Sequence, residues 1–273
     1  SIRLEKGVTR ASRKMFRHAR DLGHVLMSWD EEGLVYFDRD LYYERRLARK
    51  TVNLVRELLA WGEDNAETWR RWPRYSGTAI AITGNPRIDL LRPEFRDYYA
   101  EPARQLRDRY GDFILINSNF GTVNFFYPHL SRFPGDREAM PDEGLDTLAG
   151  HRRELFRHFL SMVPAVARAF PQQAIVLRPH PAENPDTWRR ACADCPNVSV
   201  VTEGAVPPWL LAAKMIIHNG CTTGVEAALL DRHVVAYQPI TSEKWDIRLP
   251  NSLSHPVFST EELLQAIRTV ASG

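Results

Sequence analysis

The chain has 273 residues, 44% of them apolar and 26% charged, which exceeds one ordinary domain and suits a soluble two-domain protein. A net charge of +2 is too small to argue for a nucleic-acid partner. No run approaches the roughly 20 apolar residues that cross a bilayer, and three cysteines make no disulfide framework, so a cytoplasmic location is expected.

Arg3, Lys6, Arg10, Arg13, Lys14, Arg17 and Arg20 face only Glu5 within the first twenty residues. This is either a solvated helix face or a surface drawn to an anionic acceptor or the inner-membrane leaflet, which makes peripheral membrane association an expectation. Residues 10–22 read as a helix with no strand before it, so the first lobe is expected to be incomplete at its start. A short apolar strand follows over 24–29, then helical spacing over 40–58, a helix over 63–71 and a buried strand over 78–83. This β-then-helix alternation implies a parallel sheet covered by helices.

Residues 88–111, with Pro93, Pro102 and many charges, read as the crossing between lobes; the division is set at 1–90 and 91–273. Beyond it the alternation is cleaner. Strands are expected over 113–117, 174–177, 198–201, 215–218 and 233–237. Helices are expected over 151–170, 186–192, 207–213, 223–230 and 261–270. Five strands separated by helices make a doubly wound lobe, whose ligands sit at the carboxyl ends of the strands. The polar loop through Tyr127 and His129 to Gly144 is long enough to suggest a lid. Cys192 and Cys195 form one CxxC with no second pair to complete a zinc site, so they are expected to pack rather than bind metal.

Every polar cluster that can carry chemistry follows a strand. Arg178-Pro179-His180-Pro181 is held extended by its prolines. It offers a guanidinium and an imidazole to a phosphate oxygen, with His180 able to protonate a leaving phosphate. In His218-Asn219-Gly220-Cys221-Thr222-Thr223, Gly220 permits a tight turn, Thr222 or Thr223 is expected to cap the next helix, and its first amides make an anion site. Glu226, one turn in, can take ribose hydroxyls or simply stabilise its own helix start.

Asp30-Glu31-Glu32-Gly33 crowds three carboxylates, which raises at least one pKa toward that of a useful base; the plainer reading is a solvated acidic turn. In Gly84-Asn85-Pro86-Arg87-Ile88-Asp89, Arg87 can hold a sugar carboxylate, and Asp89 is either a nucleophile or the ion-pair partner of Arg87. Asn117, Ser118 and Asn119, before Gly121, suit hydrogen bonds to a sugar.

Together these residues resemble known families. Glu31-Glu32-Gly33, His180-Pro181 and Thr222-Thr223 are similar to the acidic, HP and Ser/Thr motifs of bacterial CMP-sialic acid transferases. Trp29-Asp30-Glu31-Glu32-Gly33-Leu34, Trp61-Gly62-Glu63, Thr83-Gly84-Asn85-Pro86-Arg87-Ile88-Asp89 and Arg178-Pro179-His180-Pro181 resemble, more closely, the surface carbohydrate biosynthesis family related to retaining β-Kdo transferases.

The resemblance implies an α/β protein of the GT-B type: two Rossmann-like lobes with parallel sheets, the first on the acceptor side and the second on the nucleotide-sugar side. It implies a metal-independent enzyme without a cofactor that transfers Kdo from CMP-β-Kdo, with retention, to a glycan or lipid-linked acceptor of capsule or lipopolysaccharide. Retention implies a covalent adduct on a carboxylate, for which Glu31, Glu32 and Asp89 are the candidates. Arg178, His180, Pro181, Asn219, Gly220, Thr222, Thr223 and Glu226 are the nucleotide-site candidates. Arg87, Asn117, Ser118 and Asn119 are those for the sugar. CMP-sialic acid or CDP-glycerol chemistry is the nearest alternative, and a non-catalytic glycan-binding or scaffold module the alternative from another class.

Overall fold

Ser1 leads directly into a strand, Ile2–Lys6 (β1), in place of the expected strandless start. It pairs in parallel with Val25–Trp29 (β2) over five residues, from Ile2 opposite Val25 to Lys6 opposite Trp29. The charges on Arg3, Glu5 and Lys6 hide its pattern; the apolar Ile2 and Leu4 stay exposed on this edge strand. The structure, a computed structural model, describes residues 1–126 and 146–271. The expected lid through Tyr127, His129 and Gly144 lies outside the described residues.

The described chain divides into two compact units, Ser1–Leu90 and Leu91–Gly273. In the first, β1 and β2 are joined by Glu57–Ala60 (β3) and Ala79–Ile82 (β4) in an all-parallel sheet of order β1-β2-β3-β4. Arg13–Asp21 (α1) connects β1 to β2. The helical stretch expected over 40–58 is instead two short helices, Arg39–Arg46 (α2) and Arg49–Val52 (α3), and then β3. Leu58 and Ala60 pack inward from β3 on the same face as Leu26 of β2. That burial outweighs the modest helix preference of Glu-Leu-Leu-Ala. Phe16 from α1 and Trp69 from Glu63–Arg70 (α4) complete this core, where the Trp69 indole donates to the Tyr42 hydroxyl at 2.8 Å. A short helix after β4, Pro86–Asp89 (α5), closes the unit.

The second unit opens with a 3₁₀ turn, Pro93–Tyr99, and a helix, Ala100–Tyr110 (α6). The expected interlobe crossing is therefore mostly helix. Pro102 is tolerated because it lies in the first turn, where no intrahelical N–H bond is lost. Six parallel strands follow: Phe113–Asn117 (β5), Ala174–Arg178 (β6), Val198–Val200 (β7), Met215–His218 (β8), Val234–Tyr237 (β9) and His255–Val257 (β10). The last was not expected. Their order is β10-β9-β8-β5-β6-β7.

All five residues of β5 are buried, as a central parallel strand covered on both faces requires. The chain winds outward one way from β5 and the other way from β8. The topological reversal therefore falls between Asn117 and His218, which are in register as the last residues of these two strands. The covering helices include Leu148–Ala169 (α7), Pro185–Ala191 (α8), Val206–Ala212 (α9), Thr222–Leu229 (α10), Arg248–Ser252 (α11) and Thr260–Ala271 (α12). Cys192 and Cys195 are buried in the core with Phe156, Phe159 and Trp188, and burial lifts the Cys192 thiol to about 11, the state of an inert packing residue.

Candidate functional site

In the first unit the strand ends of β2, β3 and β4 carry the acidic turn and its supports. The three carboxylates are not equivalent. Asp30 is 2% exposed and is gripped by the Arg46 guanidinium, whose Nε lies 3.1 and 3.2 Å from its two oxygens and whose Nη2 closes on Oδ1. Glu31 pairs with Lys6 at 2.9 Å on the surface. Glu32 has its pKa raised, first by loss of solvent around its carboxyl and then by the charges of Asp30 and Glu31; Arg46 and Arg87 pull the other way. Its side chain keeps an exposed edge. Arg46, which grips Asp30 and is felt at Glu32, was missed from the sequence.

The turn is braced by the other motifs. The Trp61 indole donates to the Asp30 carbonyl at 2.5 Å, and Asn65 Oδ1 accepts from Trp61 N at 3.1 Å. A Cβ at Gly33 would stand 3.1 Å from both Asn65 Nδ2 and the Asp30 carbonyl, so glycine is what fits. Asn85 caps α5 by accepting from Arg87 N at 3.0 Å, and α5 brings Arg87 within electrostatic range of Glu32. Asp89 is the last residue of that helix.

In the second unit the centre of the site is a residue the sequence motifs leave out. Glu183, 3% exposed, accepts through Oε1 from the Ser118 hydroxyl (2.8 Å), Phe120 N (2.9 Å) and His180 N (3.0 Å). Through Oε2 it accepts from the Trp188 indole (2.9 Å) and Asn124 Nδ2 (3.4 Å). One buried carboxylate thereby ties the turn after β5 to the turn after β6. Its available signal was its place three residues after His180. The proton of the Ser118 hydroxyl is thereby taken by Glu183, which leaves that oxygen only as an acceptor. Asn119 is half-buried beside it, and Asn117 ends β5 with its Nδ2 lacking a hydrogen-bond partner among the described residues.

Arg178 is partly engaged within the fold: its Nη2 donates to the carbonyls of Glu203 (2.8 Å) and Gly204 (2.7 Å), its guanidinium stacks over the Trp209 ring, and its buried Nε has no hydrogen-bond partner among the described residues. Burial lowers its pKa to about 10. It therefore shapes the turn after β7. His180 is exposed beside Pro181, and its Nδ1 accepts from Ala182 N at 3.1 Å. That bond puts the proton of the neutral ring on Nε2. Loss of solvent lowers the His180 pKa, with Arg152 adding to the effect and Glu183 opposing it, so the neutral ring prevails at pH 7.

After β8 the turn is built on His218. It is fully buried, accepts from Gly220 N at Nδ1 (2.9 Å) and meets the Ser254 hydroxyl at Nε2 (2.8 Å). Burial pushes its pKa down to about 4. Gly220 has φ +76°, a conformation that favours glycine. A Cβ at Gly224 would stand 2.6 Å from His218 Nε2, inside any tolerable contact. Neither threonine caps α10. Cys221 holds that position without a side-chain cap bond, and its Sγ shares a 2.7 Å hydrogen bond with Thr223 Oγ1. Thr222 and Thr223 begin the helix, where backbone N–H groups have no intrahelical acceptor. Asn219 is 6% exposed, with neither its Nδ2 nor its Oδ1 bonded among the described residues. Glu226 is buried rather than presented to solvent, with its charge felt at Tyr99.

A second residue missed from the sequence is Arg152, buried in α7 with its guanidinium above the Phe120 ring. It falls in line with Leu155, Phe156 and Phe159, and a single charge within a 3-4-7 apolar stripe was the readable signal.

No protein-family model matches the chain, and no curated protein does. Solved structures do. The chain superposes on UDP-GlcNAc 2-epimerase from Methanocaldococcus jannaschii, a structure in complex with UDP-GlcNAc and UDP, with a TM-score of 0.57 at 15% identity, covering 100% of this chain and 69% of that one. For UDP-GlcNAc 2-epimerase from Neisseria meningitidis, bound to UDP-GlcNAc, the TM-score is 0.57 at 15% identity, covering 99% and 67%. For the wall teichoic acid polymerase TagF it is 0.57 at 10% identity, covering 91% and 58%. The chain thus spans about two-thirds of the epimerases' length and less of the polymerase's. At such identities the likeness establishes the fold: an α/β chain of two Rossmann-like units with parallel sheets, the GT-B architecture.

Proposed function

We propose that this chain is a glycosyltransferase that uses a nucleotide-activated sugar, and that its donor is CMP-Kdo, delivered with retention to a surface-polysaccharide acceptor. The observation that carries the reading is the set of unsatisfied buried amide atoms on Asn117 and Asn219, at the reversal point of the second sheet, where doubly wound sheets bind their ligands. Beside it, His180 offers Nε2–H to a phosphate oxygen, and the start of α10 offers N–H groups and the Thr222 hydroxyl to the same anion. Among proteins of the same fold, the Methanocaldococcus jannaschii epimerase binds UDP-GlcNAc and UDP, and TagF is a teichoic acid polymerase, which agrees with a sugar-nucleotide ligand here.

The first unit supplies the carboxylates. Glu32, with its raised pKa and exposed edge, suits the base that takes the proton of the acceptor hydroxyl. Asp89 and Glu31 remain the candidates for a nucleophile that would displace CMP and then be displaced by the acceptor oxygen, two inversions that sum to retention. In the first displacement the C–O electron pair leaves with the CMP phosphate. Asn119 stands as a sugar contact, and Arg87 is placed in this reading beside the carboxylates it partly neutralises. Among the described residues no helix is long and apolar enough to cross a membrane. The basic residues from Arg10 to Arg20 are proposed as a contact with a leaflet or an anionic acceptor.

Calorimetric titration with CMP, CDP and UDP tests this reading. Selective CMP binding that disappears in His180→Ala is the expected result. CDP selectivity would move the assignment to a glycerol-phosphate donor, and binding of none of the three would overturn it.

A further inference from the structure

Charge in the first unit is gathered on one pair of helices. Arg10, Arg13, Lys14, Arg17 and Arg20 lie on α1 and the turn before it, and Arg49 and Lys50 open α3. All but the half-buried Arg13 are exposed, and none has a carboxylate within ion-pair distance among the described residues. The start of α3 is tied to the chain entering α1: Ala48 N donates to the Val8 carbonyl at 3.0 Å, and the Thr51 hydroxyl to the Thr9 carbonyl at 2.9 Å. Against these seven cations the two helices carry one carboxylate, Asp21. The nearby Glu5 and Glu31 are already paired, with Arg3 and Lys6. Since the whole chain has a net charge of only +2, the rest of it is net acidic, and the cations are segregated rather than spread.

This arrangement has a cost within the fold. Arg13 and Lys14 stand in the first turn of α1, which holds no acidic residue. Cations there oppose the positive end of the helix dipole and repel one another. An apolar edge accompanies the charge. Phe16 and Ala19 point α1 into the core, and by helical spacing Lys14 and Arg17 turn away from it. Between those two sides Met15 is 46% and Leu22 63% exposed, two turns apart on the same edge.

The combination selects the partner. A soluble polyanion would meet the cations and leave Met15 and Leu22 in water. Single-stranded nucleic acid calls for exposed aromatic rings, and the one ring on α1, Phe16, is buried. An anionic leaflet meets both features, with headgroup phosphates for the cations and acyl chains for the apolar edge.

We infer that α1 and the start of α3 form a docking surface for an anionic lipid leaflet, with Met15 and Leu22 entering the headgroup boundary. The inference rests on the reading above that sets the basic residues against a leaflet or an anionic acceptor, and commits that surface to the leaflet.

The test sediments the full chain with vesicles of phosphatidylcholine alone and of phosphatidylcholine mixed equally with phosphatidylglycerol, at low and high salt. Wild type is expected to bind the mixed vesicles only, and less at high salt. Each Lys or Arg near such a leaflet is worth about fivefold in affinity, so Arg13→Glu, Lys14→Glu and Arg17→Glu combined are expected to weaken binding about a hundredfold or more. The melting temperature of that variant is expected to hold or rise, because carboxylates then occupy the first turn of α1. Met15→Ser with Leu22→Ser is expected to weaken vesicle binding about tenfold and to leave binding to heparin, a soluble polyanion, unchanged. This pair decides the matter if the charge variant fails to fold. No binding to the mixed vesicles, equal binding to both kinds, or wild-type vesicle binding by the serine pair would overturn the inference. CMP titration of wild type decides the sugar-nucleotide reading separately, since vesicle binding requires no nucleotide.

Discussion

Arg46 holds Asp30 with two of its nitrogens, and both charges are felt at the Glu32 carboxyl. Loss of solvent around the Glu32 carboxyl raises its pKa, with Asp30 and Glu31 adding to the rise and Arg46 and Arg87 opposing it. A carboxyl whose folded pKa lies above its unfolded value favours folding in its protonated form, and that contribution is lost as pH rises through the folded pKa. Glu32→Gln is therefore expected to raise the melting temperature at pH 7 while reducing turnover by about a hundredfold or more. Glu31→Gln is expected to change the melting temperature little, since its Lys6 pair is on the surface, and to abolish turnover only if Glu31 rather than Asp89 is the nucleophile. Melting curves and initial rates on the two variants check this; a Glu32→Gln enzyme of full activity would remove it as the base. The acid limb of the wild-type rate profile is expected above the ordinary glutamate range.

His180→Ala is expected to cut turnover about tenfold or more with little loss of stability, because the ring is exposed and, among the described residues, accepts a bond from Ala182 N alone. The pKa of His180 is depressed, so protonation of the ring is delayed to lower pH and the neutral Nε2–H donor persists below the ordinary histidine value. Parallel losses of melting temperature and activity would count against a role at the phosphate.

Glu183→Ala is expected to destabilise by about 3 kcal/mol or more, since donors on Ser118, Phe120, His180 and Trp188 lose a buried acceptor together. Denaturant titration with an unchanged slope would report this as stability alone. A midpoint equal to wild type would mean the two turns are held by something else.

His218 gives a stability limb of opposite kind to that of Glu32. Its folded pKa of about 4 lies below the unfolded value of roughly 6.5. Its contribution is present above the unfolded pKa and lost as pH falls toward 4, a decline on the order of 3 kcal/mol. Unfolding free energies measured from pH 7 to 4 should show that limb in wild type and a shallower one in His218→Gln.

The strand ends were legible because apolar runs such as Phe113-Ile-Leu-Ile and Met215-Ile-Ile stand out, and the residues just after each run are polar. That alternation marked the doubly wound second unit and the turns that bear its chemistry. The hidden features have a physical cause in each case. β1 interleaves Ile2 and Leu4 with charges that an edge strand can leave in water, and β3 carries helix-forming residues that tertiary burial turns into strand. Arg178 and Ser118 had the right chemistry, but their partners are distant in sequence: Glu203 and Gly204 for one, Glu183 for the other. Spacing along a chain reports which side chains gather at a sheet edge, not which are already satisfied by each other once there.

The contact between Gly224 and the His218 ring has an evolutionary reading. A methyl group at 224 has no room while an imidazole fills the space beneath it, and the imidazole in turn fixes the amide of Gly220. The two positions should therefore be inherited as a pair: among chains that share this turn, alanine or serine at 224 should occur only where the side chain at 218 is smaller, and neither change should be found alone.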